Sequence, residues 1–490
     1  MHRAGSFLSA AFALPFLLSS TSVSAAQRSS EPAPSAVDAV FADVAVPGSP
    51  GCAVSVARDG KLLYAKGYGL ANLEQNVPIT PDSVFDIGST SKQFSASSIL
   101  LLEKRGKLSV NDDVRKYIPE LPDYGKPITI LNLLNHTSGL RDYLALFELS
   151  GVNIDSVTTD DEALALIVRQ KGLDFEPGSE WLYTNSGFFL LSVIVKRVSG
   201  QSLREFATQN IFQPLAMNHT VYRDTHTLLI PNRSLAYDPI EKSHDFTLDV
   251  SYFEQTGDGA VHTTIGDLLK WDENFYTAQV GGKSFLQELQ TPGTLTNGKT
   301  LDYAKGLFIQ TYRGLPTVRH GGSWGGYRAE LLRFPEQHFS VVCLCNRSDS
   351  NPENRAERVA DILLASLLKP KEQKEETREE AKKKPEISVS MEDLKPLAGL
   401  YWSEELAVTY KLDPANGKLA IVQLLGAGGM PRSSDLKNTV LVPVAKDTFD
   451  GHSADATFHF QRDAEGFPTS FTLDVGRSKG MIFKRVSGTL

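Results

Sequence analysis

Ser89 and Lys92 stand three residues apart in Ile87-Gly88-Ser89-Thr90-Ser91-Lys92, directly before the apolar run Phe94 to Leu102. That run, ended by Gly106, predicts a helix. Ser89 then lies at its N-terminus and Lys92 one turn later on the same face, with the amine in reach of the hydroxyl. A serine hydroxyl is a weak nucleophile that needs an adjacent base, and a helix N-terminus favours the negative charge that develops there. Lysine acts as that base only when neutral, so its usual pKa of about 10.4 must be lowered by desolvation or cationic neighbours, unless another group takes the proton. Serine is also a common helix cap, so the pair alone does not define a site.

Two further groups follow in order. Glu180-Trp181-Leu182-Tyr183-Thr184-Asn185-Ser186-Gly187 lies downstream, and His320-Gly321-Gly322-Ser323 later still. Ser-x-x-Lys, then Tyr-x-Asn, then a Lys- or His-x-Gly element resembles the serine β-lactamase and penicillin-binding protein superfamily. The nearer resemblance is to its branch of class C β-lactamases, D,D-peptidases, D-aminopeptidases and related esterases. Leu133-Leu134-Asn135-His136-Thr137-Ser138-Gly139-Leu140, Phe175-Glu176-Pro177-Gly178 and Gly257-Asp258-Gly259 stand where that family has similar words, and the resemblance covers about Val37 to Leu368.

The resemblance implies that Ser89 attacks a carbonyl with Lys92 as base, and that Tyr183 shuttles the proton to the leaving group and helps activate the deacylating water. Whether Lys92 or Tyr183 is the principal base stays open. Asn185 is implied to hold a substrate amide and to position Lys92. The backbone N–H groups of Ser89 and Ser323 are implied to form the oxyanion hole. Gly321 and Gly322 let their strand approach the ligand closely. His320 stands where the lactamases usually carry Lys. An imidazole with a pKa near ~6.5 is mostly neutral at pH 7 and anchors a substrate carboxylate less firmly than an ammonium. His-Gly-Gly resembles the D-aminopeptidase and peptidase branches instead. The implied function is an acyl-enzyme hydrolase of peptides, D-amino-acid amides or esters, without a cofactor. β-Lactamase or penicillin-binding activity, and a catalytically silent cell-wall or peptide-binding homologue, are the alternatives.

The elements that must position these residues are legible from periodicity. Gly51 to Tyr64, with Asp59-Gly60 in its middle, predicts a β-hairpin whose turn needs positive φ. Asp160 to Gln170 and Phe188 to Val198 have helical spacing. Tyr327 to Phe334 and Phe339 to Cys345 predict a second antiparallel hairpin, and Asn351-Pro352 opens an amphipathic helix reaching about Leu368. Terminal strands bracketing a helical middle predict an α+β fold, an antiparallel sheet flanked by helices with an added helical lobe. This hydrolase domain is placed at 37–368. Residues 369–390 read as a charged linker, because Lys369 to Lys384 is a Lys/Glu run that cannot bury a core. Leu400 to Trp402, Ala407 to Leu412, Lys418 to Val422, Val440 to Val442, Thr457 to Phe460, Phe471 to Val475 and Met481 to Val486 are short β-rich runs. Turn signals such as Asn416-Gly417 and Glu465-Gly466 separate them, which predicts a small antiparallel β-barrel at 391–490.

At the N-terminus, His2 and Arg3 precede an apolar segment from Phe7 to Leu18, and Val23-Ser24-Ala25 supplies small residues for cleavage. Residues 1–25 therefore read as a signal peptide and 26–36 as a disordered segment, which predicts a secreted or periplasmic protein. The apolar segment is well short of the ~20 residues of a membrane span, so no stable span is expected. The net charge of −8 is opposite in sign to a nucleic-acid footprint, so the expected partner is a small-molecule or peptide substrate, such as a cell-wall fragment, and not nucleic acid.

Only Cys52, Cys343 and Cys345 occur, too few for a disulfide framework. Cys343 and Cys345 would share one face of a strand, Cys-x-Cys is not a zinc-knuckle spacing, and the sequence leaves open whether Cys52 forms a disulfide. His136 and His262 read as packed residues without a metal-spaced partner, so no metal site is expected. Asn135, Asn218, Asn232 and Asn346 each begin a glycosylation sequon, which matters only in a glycosylating host. Gly321-Gly322-Ser323-Trp324-Gly325 also matches the Gly-x-Ser-x-Gly nucleophile elbow. An elbow leads from strand into helix, whereas Tyr327 to Phe334 alternates like a strand. The acid and histidine would have to come from the tail, where only His338, His452 and His459 remain.

Overall fold

In the computed structural model, which describes residues 34–371, 387–415, 418–432, 436–451 and 456–486, alternation along three strands builds the centre of the molecule. Cys52, Val54 and Val56 face one side of the strand Cys52–Arg58, while Ala53 faces the other. Leu332 and Phe334 alternate with Ala329 and Leu331 on Tyr327–Phe334, and Phe339, Val341 and Cys343 with Val342 and Leu344 on Phe339–Cys345. Period-two burial on both faces is what a sheet covered by helices on each side requires.

The sheet has seven antiparallel strands in the order Tyr303–Ala304, Leu307–Tyr312, Leu315–Trp324, Tyr327–Phe334, Phe339–Cys345, Cys52–Arg58 and Lys61–Tyr68. The two ends of the domain thus meet in one sheet. The hairpin turn takes Asp59 to φ 52° and Gly60 to φ 70°. On one face lie Pro34–Asp38 and Pro352–Leu363. On the other lie Lys92–Lys104, Asn185–Ser199 and Ile265–Thr277, continuous with the core of the helical lobe.

The helix Pro34–Asp38 begins inside the segment expected to be disordered, because Val37, Val40 and Phe41 are buried in the core of that face. The helix expected to reach Leu368 stops at Leu363. Leu367 and Leu368 both return their N–H to the Leu364 carbonyl, and Lys369 donates to Arg313 O at 2.9 Å, which draws the chain out of helical register. Cys52 faces Cys345 in strand register and is disulfide-bonded to it, closing the question the sequence left open. Cys343 is a buried free thiol.

The C-terminal strands form a closed barrel. Its ring runs Val408–Ala415, Gly399–Ser403, Ser478–Val486, Pro468–Val475, Ala456–Arg462, Thr448–Gly451, Val440–Ala445 and Lys418–Gly426, and closes by pairing the last strand with the first. Thr448–Gly451 is absent from the sequence-based set, being four residues long and ending in Asp450-Gly451, a turn-like pair. Aromatic side chains fill the interior, with Phe471 stacked on Phe483 at 4.7 Å. The barrel docks on the helical lobe, where Tyr410 Oη donates to Leu149 O at 2.7 Å and Arg141 pairs with Glu405 at 2.7 Å. The expected signal peptide, most of the charged linker (372–386), the Asn416-Gly417 turn and His452 lie outside the described residues. Among the described residues, no helix is long and apolar enough to cross a membrane.

Candidate active site

Ser89 sits in a 3-10 turn, Gly88–Ser91, that feeds directly into the helix Lys92–Lys104. Gly88 takes φ 46° and gives its N–H to Asp86 Oδ1 at 2.8 Å. Two side chains tie the turn to its neighbours: Thr90 Oγ1 donates to His320 O at 3.1 Å, and Ser91 Oγ accepts from Val261 N at 3.1 Å. A Cβ on Gly88 would lie 2.6 Å from Ser323 N, and one on Gly322 would collide with the Ile87 carbonyl. The turn carrying Ser89 and the strand carrying Ser323 therefore meet backbone to backbone. Two backbone donors on such rigid, adjoining elements are suited to stabilising an oxyanion.

Lys92 is completely buried. Its Nζ lies 2.9 Å from Ser89 Oγ, 3.0 Å from Asn185 Oδ1 and 2.6 Å from Asp258 O. The amide orientation of Asn185 is fixed from behind, because its Nδ2 and backbone N both donate to Asp142 Oδ2, at 3.0 and 2.7 Å. A carboxylate only accepts, so Asn185 must turn its oxygen to Lys92. Thr184 caps the helix Asn185–Ser199 and holds Asn185 at its first residue. Burial pushes the Lys92 ammonium down to about 8, opposed by the charges of Asp258 and Asp142 and assisted by Arg477.

Tyr183 is packed beside this cluster, its ring 4.9 Å from Lys92 Nζ. Burial holds its phenol well above the usual tyrosine range; Ser89 and Arg477 pull the other way. The hydroxyl comes close enough to Ser89 to feel it, yet meets no hydrogen-bond geometry with any described residue. His136 lies against Tyr183, ring centroids 4.3 Å apart, and its Nδ1 accepts from Thr184 N at 3.2 Å. Its sequence reading as a packed residue holds, and the packing is against the candidate proton carrier.

His320 is buried, and burial lowers its imidazole to about 3, with the nearby Lys92 acting in the same direction. Its Nδ1 lies 2.6 Å from Gly321 O, which only accepts, so Nδ1 carries the proton and Nε2 accepts from Tyr303 Oη at 3.2 Å. The third motif thus presents a neutral ring. Ser323 lies within the strand Leu315–Trp324, and the chain turns back into Tyr327–Phe334, so the strand-to-helix turn of a nucleophile elbow is not formed.

Two cavities meet at Ser89, Tyr183 and Ser323. One, of about 750 Å³, runs along His320 to Gly322 toward Arg328 and Asn351. The other, of about 220 Å³, is walled by Asn185, Arg223, Phe253, Trp324 and Arg477. Arg477 comes from the barrel, at the turn between Pro468–Val475 and Ser478–Val486. Sequence reasoning missed Asp142 and Arg477. Asp142 carried a usable signal, as an Asp preceding the run Tyr143–Leu149, whereas nothing local marks Arg477. Among the described residues, Cys52, Cys343 and Cys345 form the one cluster with metal-ligand chemistry, and two of these are joined in the disulfide.

A family model described as Beta-lactamase matches residues 37–366. Penicillin-binding protein 4* of Bacillus subtilis is 32% identical over 320 residues, covering 62% of this chain and 69% of that protein. A D-aminopeptidase of Gluconobacter oxydans is 29% identical over 370 residues, covering 75% of this chain; the chain spans 66% of the length of that relative. Among solved structures, the octameric penicillin-binding protein homologue from Pyrococcus abyssi superposes with a TM-score of 0.61 at 23% identity, covering 92% of this chain and 98% of that one. This last likeness is one of fold.

Proposed function

The chain belongs to the beta-lactamase family, and from that premise we propose that it is a serine hydrolase that forms an acyl-enzyme at Ser89 on peptide, D-amino-acid amide or ester substrates. One observation carries this reading: the partners of Lys92. A neutral amine has two N–H bonds and one lone pair. Asn185 Oδ1 and Asp258 O are pure acceptors and take both N–H bonds, which leaves the lone pair for the Ser89 hydroxyl at 2.9 Å. That is the arrangement of a general base.

In the proposed reaction Ser89 Oγ bonds to the substrate carbonyl carbon while its proton passes to Lys92 Nζ. The carbonyl oxygen takes the negative charge between the N–H groups of Ser89 and Ser323. Tyr183, kept protonated by burial, hands a proton to the leaving group and is reprotonated through Lys92. A water then enters, is deprotonated by the same pair, and releases the acid. Burial favours Lys92 over Tyr183 as the base, since it brings the amine down toward neutral pH and drives the phenol away from it. The neutral His320 offers no cation for the carboxylate of a β-lactam, which favours amides and esters, and the D-aminopeptidase relative points the same way. Export with cleavage after about residue 25 is part of the proposal, supported by the Cys52–Cys345 disulfide, which belongs to an oxidising compartment.

The test is labelling with an acyl phosphonate or a labelled penicillin followed by peptide mapping, alongside turnover of esters, D-aminoacyl amides and cephalosporins. The label should sit on Ser89, and Ser89→Ala should abolish both labelling and turnover. Label on Ser323, or hydrolysis surviving in Ser89→Ala, would overturn the assignment.

A further inference from the structure

Resting on the acyl-enzyme reading above, we propose that the smaller cavity beside Ser89 receives a carboxylate of the substrate, and that Arg477 of the barrel is the side chain that selects it.

The hairpin that carries Arg477 is fixed to the helical lobe by its backbone. Arg477 O accepts from Asp142 N at 3.1 Å, Lys479 O from Arg141 Nε at 2.8 Å, and Lys479 N donates to Asp174 Oδ1 at 2.7 Å. The guanidinium is thereby placed 5.6 Å from the Tyr183 ring and 3.5 Å from Asp142 Oδ2. That oxygen already accepts two N–H groups of Asn185, so it does not satisfy the guanidinium fork. Among the described residues Arg477 makes no side-chain hydrogen bond, and its side chain, 39% exposed, lines the smaller cavity.

The wall behind it has the same imbalance. Arg223 is 7% exposed, gives its terminal nitrogens to the carbonyls of Ser251, His226 and Phe253 at 3.0, 3.4 and 3.5 Å, and leaves Nε without a partner. Gln255 accepts the Thr158 hydroxyl at 2.9 Å and leaves its Nε2 without one. Two carboxylates also line the cavity. Asp86 takes the Gly88 N–H at 2.8 Å, and Asp258 takes the Tyr143 hydroxyl at 3.0 Å on one oxygen and has the other free. Burial raises both, which weakens their negative charge. Two buried donors without an acceptor, Arg223 Nε and Gln255 Nε2, stand with Arg477, paired only to Asp142, and the unpartnered Tyr183 hydroxyl against one acceptor without a donor, Asp258 Oδ1. A lining with this excess of N–H groups and a partly exposed guanidinium at its rim favours a planar anion matched by the guanidinium fork. Phe253 and Trp324, in contact at 4.8 Å, offer apolar surface for the short hydrocarbon between that carboxylate and the scissile carbonyl.

The test uses the full chain and 4-nitrophenyl esters with pentanoyl, glutaryl and 4-(trimethylammonio)butyryl acyl groups, with the uncatalysed rate subtracted. Wild type should prefer glutaryl to pentanoyl by about tenfold or more in kcat/KM. Arg477→Gln should bring that ratio near one, and Arg477→Glu should shift preference to the cationic ester. A ratio unmoved by either variant, or a wild-type preference for the cationic ester, would overturn the proposal. Independently of any variant, glutarate should inhibit pentanoyl hydrolysis competitively and its diamide should not; equal inhibition by the two would also overturn it. Failure of the underlying reading looks different: no ester is turned over by wild type at all.

Discussion

A neutral lysine can give two hydrogen bonds and receive one, and the surroundings of Lys92 supply that pattern. Asp142 orients Asn185, Asn185 and the Asp258 carbonyl occupy the two N–H bonds, and Ser89 lies against the lone pair. The working form is the deprotonated one, so the rate must rise with pH while Lys92 loses its proton. With Lys92 at about 8, kcat/KM for a neutral ester should climb close to tenfold per pH unit below that value and level off above it. Tyr183 should not add a second step in this range, since burial keeps its phenol well above the usual value. A profile flat between pH 6 and 9, or one falling with pH, would remove Lys92 from the role of base. His320 adds no step either, because burial has already taken it down to about 3.

At the scale of elements, the two glycines of the third motif look interchangeable in sequence and are not so in space. The strand Leu315–Trp324 runs past the turn Gly88–Ser91 so closely that a Cβ on Gly322 would strike the Ile87 carbonyl, a backbone atom that cannot move aside alone. On Gly321 the nearest atom to a Cβ is Glu330 Oε2, at 3.0 Å, the end of a side chain. Gly322→Ala should therefore cost about 1–3 kcal/mol, as overpacking does, and separate Ser323 from Ser89 with a large loss of kcat. Gly321→Ala should cost less in both. Denaturant midpoints and kcat of the two variants check this; equal effects would mean that the close approach does not set the site.

At the scale of the whole molecule, the barrel and the helical lobe share one apolar core and a buried polar contact. Arg141 and Glu405, both nearly inaccessible, pair at 2.7 Å, Gln170 accepts from the same guanidinium at 2.9 Å, and Lys171 N donates to Glu405 at 2.7 Å. Removing Glu405 leaves the buried Arg141 charge with only the more distant Asp174, at 3.9 Å, which costs about 3 kcal/mol. Glu405→Ala should lower the urea midpoint accordingly and reduce kcat/KM for carboxylate-bearing esters more than for neutral ones, because the hairpin of Arg477 hangs from the same interface. A variant with wild-type stability and selectivity would show that this pair does not hold the barrel in place.

What the sequence determined by itself was local. Period-two runs gave the strands Tyr327–Phe334 and Phe339–Cys345 because a strand covered on both sides must alternate the two cores it faces. The spacing of Ser89 and Lys92 foretold their contact because a helical turn brings such residues onto one face. Thr448–Gly451 escaped because four residues carry too little pattern to differ from a turn. Only the tertiary structure decided the rest. Cys52 and Cys345 pair across 293 residues of sequence, and a strand register at that separation leaves no trace in either segment. Asp142 and Asn185 come together in the same way, across 43 residues. Arg477 enters the cavity beside Ser89 because a second domain closes on itself and docks, and side chains brought together by docking have no spacing to be read.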